Sequence, residues 1–405
     1  MRVGIVTTWF ERGAAVVSRQ MADALSSQGA RVFIYARGEK YAVGDPKWDQ
    51  PNVHWGRRLH WPGSGKIDRE DFLAWIAENQ LDAIIFNEQT WWQPVIWAKS
   101  VGVKCGSYID YYTEETVPLF SSYDFLICNT RRHLSALSWH EGASYLPWGT
   151  DTDTFKPEGS YPETFTFFHS CGWNGHRKGL DLLLDAFEEI VNVVDAKLVI
   201  HTQADLPHRA ILSHDKVEVI KRSVSAPGLY HLGDVYVYPS RLEGIGLTIC
   251  EALACGLPVI TTDEPPMSEF VADGRDGFLV PVKARYRRKD GYYWRISEVC
   301  PRNLARAMLR AYEIRGAQLT EMKANARRKA VNERNWERNA TQLYGIVAEN
   351  KKRTLSTEKV RQLRSYDYRG WRGKIDHLMR YAGTAKVVSL AFEHYRRWRQ
   401  PEFFR

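Results

Sequence analysis

The sequence predicts an α/β fold in which two doubly wound domains face a cleft, followed by a helical C-terminal extension. Short apolar, strand-like runs alternate with helix-length stretches, and a polar segment rich in turn formers divides this alternation into two series. The chain has 405 residues, of which 44% are hydrophobic. This is enough for two or three domains with cores of their own, which excludes a disordered or fibrous protein.

The first series starts at the N-terminus. Residues 2–7 are a strand-like run, the turn that follows ends at Gly13, and apolar residues then recur at helical spacing. Further strand-like runs cover 31–35, 82–86, 104–109 and 125–128. Short apolar strands separated by helices are typical of a parallel sheet covered on both faces. We therefore expect a Rossmann-like domain over residues 1–150.

The second series follows a linker at residues 149–162 and occupies a domain predicted over 151–335. Its strand-like runs cover 165–168, 197–201, 217–220, 235–238 and 258–261. A basic and aromatic segment, residues 284–298, interrupts the pattern and is predicted to be a loop. Two such domains place a ligand cleft between the carboxyl ends of their sheets.

The remaining residues, 336–405, are predicted to be a helical crossover and a basic, aromatic tail. The whole chain carries a formal charge of +8. Residues 351–405 hold 15 of the 56 lysines and arginines but only five of the 48 acidic residues, so the body of the chain is nearly neutral. Any partner that is a polyanion or a membrane surface is therefore expected to contact mainly the tail.

The N-terminus lacks the pattern of a secretory leader, and no apolar run is long enough to span a membrane. The six cysteines form no C-x-x-C pair, which argues against zinc and against a disulfide framework. We expect a cytoplasmic protein, with peripheral contact at the inner face of a membrane as one option for the tail.

Residues 238–262, YPSRLEGIGLTICEALACGLPVITT, carry the most chemical information. They read as a strand, a turn with two glycines, a helix starting near Leu247 and a further strand. Gly244 and Gly246 let the backbone approach a ligand, and the helix start presents free N–H groups to an anion. Glu243 and Glu251 bracket this anion site and can accept hydrogen bonds from sugar or ribose hydroxyls.

This segment resembles the E-x7-E motif of retaining glycosyltransferases of the GT-B fold, specifically family 4. Three other blocks are similar to the same family: residues 146–155, the Gly172 to Lys178-Gly179 block, and residues 273–281. Together with the first strand and the loop at Gly13, the resemblance covers roughly residues 1–350.

The resemblance implies a site for a nucleotide-sugar donor, a UDP- or GDP-sugar. Glu243 would lie beside the transferred sugar, Glu251 would hold the ribose, and Lys178 would neutralise the leaving diphosphate. The donor-binding residues it implies are Gly13, Gly172, Arg177, Lys178, Glu243, Gly244, Ile245, Gly246, Leu247 and Glu251. Trp173 stands where the family usually has an arginine, so Arg177 either supplies that guanidinium or faces solvent.

The family also carries a histidine that touches the transferred sugar. Asp110 lies near that position, and it either replaces the histidine or only caps a turn. The resemblance implies front-face attack with the leaving phosphate as proton acceptor, so Glu243 is not assigned as a nucleophile. No metal or cofactor is expected, and histidines such as His133 are expected to be packing or surface residues because they lack ligand spacing.

The acceptor is expected to be a hydroxyl of a glycan or a lipid-linked saccharide. The candidate acceptor residues lie in a basic, aromatic segment of the first domain and are Trp55, Arg57, Arg58 and Trp61. Residues 375–395 of the tail have apolar side chains on one helical face. Three alternatives remain open for the tail: it covers the first domain, it rests on an anionic membrane, or it contacts DNA. The last option corresponds to a glycosyltransferase acting on a modified base of phage-type DNA, and a nucleotide-sugar-binding pseudoenzyme is a further alternative.

Overall fold

The computed structural model describes residues 1–37, 42–57, 66–159 and 162–369. Within these ranges the chain forms two parallel sheets, each covered by helices, and a separate two-stranded hairpin. The α/β class and the two Rossmann-like domains predicted from the sequence are confirmed.

The first sheet has seven parallel strands in the order β3-β2-β1-β4-β5-β6-β7. These strands are β1 (Arg2–Thr7), β2 (Arg31–Ala36), β3 (Val53–Trp55), β4 (Ala83–Phe86), β5 (Lys104–Ile109), β6 (Phe125–Cys128) and β7 (Ala143–Tyr145). The helices are α1 (Gly13–Ser27), α2 (Arg69–Glu78), α3 (Gln93–Ser100) and α4 (Arg131–Leu137). Strands β4 and β6 are buried at every position because helices cover both faces of the sheet.

The second sheet has six parallel strands in the order β10-β9-β8-β11-β12-β13. The strands are β8 (Thr166–Gly172), β9 (Lys197–Thr202), β10 (Val217–Lys221), β11 (Val235–Tyr238), β12 (Val259–Thr262) and β13 (Gly277–Val280). Helices α5 (Leu180–Ile190) and α6 (Leu247–Ala254) follow β8 and β11. In both sheets the strand order reverses direction beside the first strand of the domain, which is where open α/β sheets bind ligands.

The segment predicted to be a loop, residues 284–298, is in part a β-hairpin. Strands β14 (Val282–Tyr286) and β15 (Ile296–Val299) pair antiparallel, with a register irregularity near Ala284. Tyr286 and Arg285 are exposed on β14, so the segment has no continuous apolar face from which a strand could be predicted. We call residues 282–299 the crossing hairpin because its tip contacts the first domain.

The chain returns to the first domain after two helices of the second, α7 (Pro301–Glu313) and α8 (Ala317–Glu333). Thr150 and Asn335 form an isolated bridge, so the two segments that pass between the domains run side by side. The helices that follow are α9 (Trp336–Ala340), α10 (Gln342–Glu349) and α11 (Thr357–Asp367). Trp336 stacks against Trp148 with ring centroids 4.1 Å apart, and α10 packs on α1.

Helix α11 packs against α3, and Leu363 is fully buried in the core of the first domain. The described part of the predicted tail, 351–369, therefore covers the first domain. Residues 375–395, on which the membrane and DNA alternatives depend, lie outside the described residues. None of the helices in the described ranges is long and apolar enough to cross a membrane.

Candidate active site

A turn with two glycines joins β11 to α6 at the carboxyl edge of the second sheet. Gly246 has φ +86° and caps α6, which begins at Leu247 as the sequence predicts. A Cβ at Gly244 would meet no heavy atom within 4 Å. The backbone N–H groups of residues 244–247 have no hydrogen-bond acceptor among the described residues. The free amides and the helix dipole together suit an anion above this turn.

The Glu243 carboxylate is the centre of the hydrogen-bond network in this turn, and only 6% of the residue is exposed. Its Oε1 accepts hydrogen bonds from Lys178 Nζ at 2.6 Å, the Tyr238 hydroxyl at 2.8 Å and the Ser240 hydroxyl at 2.7 Å. Burial would raise the pKa of Glu243, but the charges of Lys178 and Arg177 outweigh this effect and lower it to about 2. Glu243 is therefore ionised at neutral pH.

The turn before α5 brings two basic side chains to Glu243. Lys178 lies in this turn, directly before Gly179, which caps α5, and the helix begins at Leu180. Gly179 has φ +77°, and a Cβ there would lie 2.1 Å from the carbonyl oxygen of Pro239. Only glycine allows the two turns to pack this closely, and the contact carries Lys178 to the carboxylate.

Arg177 lies beside Glu243, although 41% of its side chain is exposed to solvent. Its Nη1 donates a hydrogen bond to the carbonyl oxygen of Leu242 at 3.1 Å and lies 3.6 Å from Glu243 Oε2. The Glu243 charge raises the pKa of Arg177. Trp173, which stands where the resemblance expects an arginine, is 74% exposed. Arg177 is thus the second cation beside Glu243.

Glu251 lies in the second turn of α6 and is held by Tyr230. The Tyr230 hydroxyl donates to Glu251 Oε2 at 2.6 Å, and burial raises the pKa of Glu251. Tyr230 sits in a short helical turn before β11, and its sequence context gave no signal of this contact. The carboxylate keeps its Oε1 available for further hydrogen bonds, which ribose hydroxyls could donate.

Two further glycines predicted at the donor site occupy turns at the carboxyl ends of strands. Gly13 is the first residue of α1, after β1, and a Cβ there would meet nothing within 4 Å. Gly172 ends β8 with φ +54°. Both positions leave the backbone open, as a close approach by a ligand requires.

Asp110 follows β5 and lines a cavity of about 270 Å³ in the first domain, together with Glu88, Ser107 and Tyr108. Burial and the nearby Glu88 raise the pKa of Asp110 to about 7. Glu88 has φ +53°, which is uncommon for a residue other than glycine and often accompanies function. Asp110 shares no contact with Glu243, so the structure divides the predicted catalytic residues between two places. Glu88 was not identified from the sequence.

His133 connects the first domain to the glycine turn. It is fully buried, with Nδ1 2.9 Å from the Tyr112 hydroxyl and Nε2 3.3 Å from the carbonyl oxygen of Gly244. Burial lowers the pKa of His133 to about 3, so the ring is neutral. From the sequence we expect His133 to be a packing or a surface residue; the structure shows it buried and adds a contact across the cleft that no sequence pattern indicates.

Two of the four predicted acceptor residues, Trp55 and Arg57, are among the described residues and lie at the edge of the first sheet. Trp55 ends β3, and its Nε1 donates to Asp49 at 2.6 Å, while Arg57 lies 3.5 Å from Asp68. Arg58 and Trp61 lie outside the described residues. Their role in acceptor binding stays a prediction.

Comparisons with known proteins find similarity to glycosyltransferases. Residues 163–311 match the family model described as glycosyl transferases group 1. The chain is 34% identical over 149 residues to the lipopolysaccharide core biosynthesis mannosyltransferase LpsB of Rhizobium meliloti, covering 32% of this chain and 42% of that protein. It is 25% identical over 281 residues to the UDP-N-acetylglucosamine–peptide N-acetylglucosaminyltransferase GtfA subunit of Streptococcus pneumoniae, covering 61% of this chain and 56% of that protein.

The chain thus spans about half the length of these curated relatives. A solved glycosyltransferase from Rickettsia africae superposes with a TM-score of 0.70 at 14% identity, over 86% of this chain and 99% of that one. The chain has the GT-B fold of glycosyltransferases, and its residues 163–311 are similar in sequence to the group 1 glycosyl transferases.

Proposed function

We propose that this protein is a retaining, metal-independent glycosyltransferase of the E-x7-E type, family 4. It would move a sugar from a UDP- or GDP-sugar to a hydroxyl of a glycan or lipid-linked saccharide. The observation that carries the proposal is the buried Glu243 carboxylate, paired with Lys178 and Arg177 beside the free N-terminus of α6. The two relatives, named as transferases of mannose and of N-acetylglucosamine from its UDP derivative, support the donor class.

The leaving diphosphate would be stabilised by protein groups. When the bond between the anomeric carbon and the phosphate oxygen breaks, negative charge builds up on the diphosphate. The amides of residues 244–247 have no acceptor among the described residues, and Lys178 and Arg177 lie beside Glu243 at the same turn. They would supply the charge compensation that a divalent metal gives in other transferases, which is why we propose a metal-independent reaction.

Retention would follow from the face of the anomeric carbon that the acceptor attacks. Glu243 Oε1 already accepts three hydrogen bonds, so this carboxylate is held as a positioning group and is a poor nucleophile. The acceptor oxygen would attack the anomeric carbon on the face that the phosphate leaves, and the acceptor proton would pass to the departing phosphate oxygen. One glycosidic bond forms, one glycosyl–phosphate bond breaks, and the nucleoside diphosphate is released.

Asp110 would hold hydroxyls on the first-domain side of the cleft. Its carboxyl group and that of Glu88 line one cavity and interact electrostatically. With a pKa near 7, Asp110 can donate a hydrogen bond when protonated and accept one when ionised. Glu251, held by Tyr230, would bind the ribose on the opposite side.

The proposal is tested by a donor screen. The full chain is mixed with UDP-, GDP- and ADP-sugars, and both its melting temperature and the nucleotide released are measured, with Glu251→Gln as the variant deficient in donor binding. We expect one nucleotide class to raise the melting temperature and to be consumed, more so with an acceptor. If no nucleotide sugar shifts the melting temperature and none is consumed, the proposed function fails; a shift without consumption would identify a sensor.

A further inference from the structure

The crossing hairpin forms one wall of a second cavity, of about 710 Å³. Tyr111 and residues 113–115 of the first domain form the opposite wall, and Tyr366 of α11 and Arg369, which follows that helix, complete it. This volume lies within the range of roughly 300–1,000 Å³ typical of small-molecule sites. None of the donor-binding residues of the glycine turn lines it, so this cavity is distinct from the donor site.

The two walls are joined by specific contacts. The backbone N–H of Tyr293 donates to the carbonyl oxygen of Tyr112 at 2.9 Å, and Trp294 Nε1 donates to the Tyr112 hydroxyl at 2.7 Å. Tyr111 stacks on Tyr292, with ring centroids 5.3 Å apart and planes at 14°. These contacts hold the cavity in shape across the domain boundary.

The cavity is also adjacent to the glycine turn. At the base of the hairpin, Ser297 N–H donates to the carbonyl oxygen of Arg241, two residues before Glu243. On the first-domain side, Arg132 lines the cavity, and the next residue, His133, contacts Gly244. A molecule in this cavity would therefore lie next to the donor, on the side where the first domain meets the hairpin.

The charges of the lining leave an excess of two cations. Four arginines are neutralised by carboxylates of the same lining, in the pairs Arg285–Glu264, Arg287–Glu114, Arg288–Asp290 and Arg369–Glu115. Arg132 and Arg295 form no salt bridge with a described carboxylate. Arg132 is buried, and its guanidinium lies 4.1 Å from the centre of the Trp294 ring.

The aromatic rings and the excess arginines point to one class of ligand. Aromatic faces bind the apolar faces of flat or ring-shaped molecules, and guanidinium groups bind carboxylates and phosphates through paired hydrogen bonds. We propose that this cavity is the acceptor site and that it takes a sugar bearing an anionic group, a carboxylate or a phosphate. This inference rests on the proposed function, because it assigns the acceptor of the same reaction.

The test measures binding of four probes to the full chain by calorimetry. The probes are D-glucuronic acid, D-glucose 6-phosphate, D-glucose and inorganic phosphate, each in the presence and absence of UDP. We expect at least one anionic sugar to bind about tenfold or more tightly than both D-glucose and inorganic phosphate. The tighter of the two anionic sugars identifies carboxylate or phosphate as the source of the charge.

Two variants locate the site. Arg295→Gln, at an exposed position of the hairpin, should weaken the anionic sugar about tenfold and leave UDP binding within twofold of the unaltered protein. Trp294→Ala should weaken both glucose and the anionic sugars. Arg306→Gln, an equally exposed arginine on α7, is the matched control and should change neither affinity.

Equal binding of glucose and the anionic sugars would overturn the inference, and so would an Arg295→Gln variant with unchanged affinity. Tight binding of inorganic phosphate alone would also overturn it, because the cavity would then be a simple anion site. Failure of both UDP and GDP to bind, with GDP measured in the same way, is a separate result, which overturns the proposed function whatever the sugars do.

Discussion

The two sides of the cleft differ in how their functional groups are positioned. On the second-domain side, Glu243, Lys178 and Arg177 are in direct contact and sit on adjacent short turns. On the first-domain side, Asp110 lies in its own cavity, and the crossing hairpin brings further residues from a distant part of the chain. The proposed donor side thus joins two segments that each carry a local sequence motif, whereas the proposed acceptor side is assembled only by contacts between distant parts of the chain.

If the donor side is the centre of the chemistry, the change with the largest effect is Glu243→Gln. It removes the charge that holds Lys178 and Arg177 while keeping the shape of the side chain. We expect donor turnover to fall by about 10²–10³-fold, the range for removal of one group that acts on the transition state. Nucleotide release from the donor found in the screen is the measurement.

Glu321→Gln, at an exposed position of α8, is the matched control for this change and should keep full activity. Activity of Glu243→Gln within threefold of the unaltered protein would show that the buried carboxylate is only structural.

Lys178→Ala should have the next largest effect, a loss of about 10²-fold in turnover, because the leaving diphosphate loses a cation. Lys178→Arg should recover part of the activity. An Arg177→Ala variant with a comparable loss would show that both cations act, whereas full activity of Lys178→Ala would remove the lysine from the mechanism.

Glu251→Gln tests the nucleoside end of the donor site and should act mainly on binding. We expect the KM for the donor to rise about tenfold or more, with a smaller change in kcat, since the ribose is remote from the reacting atoms. Tyr230→Phe is the companion variant, because it removes only the hydroxyl that holds Glu251. A fall in kcat at unchanged KM would contradict the assignment to the ribose.

The smallest predicted effect is on the acceptor side and concerns pH. The pKa of Asp110 is raised to about 7 in the folded chain, above its ordinary value of 3.8, so the folded state holds a proton that the unfolded state releases. Asp110 therefore destabilises the fold progressively as the pH rises from about 4 to about 7.

Asp110→Asn removes this penalty and should raise the melting temperature relative to the unaltered protein at pH 8 but not at pH 4. The measurement is thermal unfolding of both proteins across that range. A difference in melting temperature that is independent of pH would show that Asp110 does not titrate near neutrality.

The contrast between the two sides also explains what the sequence could predict. Glu243, Gly246 and Glu251 lie in one continuous segment whose strand, turn and helix follow from local preferences. Lys178 belongs to a similarly local block. For Arg177 the sequence leaves two alternatives open, because Arg177 and Lys178 lie in the turn before α5, where the directions of adjacent side chains do not follow from helical geometry.

The acceptor side offered no such local pattern. His133 Nε2 contacts the main-chain carbonyl of Gly244, 111 residues away in the sequence. This contact depends on how the two domains pack against each other. Residues 284–298 are predicted from the sequence to be a basic, aromatic loop. In the structure the strands of the crossing hairpin pair only in part, and contacts with Tyr112, far away in the sequence, hold its tip. The positive φ angle of Glu88 can be seen only in the three-dimensional structure.

In the proposed function, the glycine turn, Lys178 and Arg177 together form a diphosphate site. The most direct test is to measure the affinities of UDP, uridine, GDP and guanosine for the unaltered protein and for the Lys178→Ala/Arg177→Ala double variant. We predict that one nucleoside diphosphate binds at least about 100-fold more tightly than its nucleoside, and that the double variant loses most of this difference. Equal affinity of nucleoside and diphosphate in the unaltered protein, or a difference that survives in the double variant, would contradict the account.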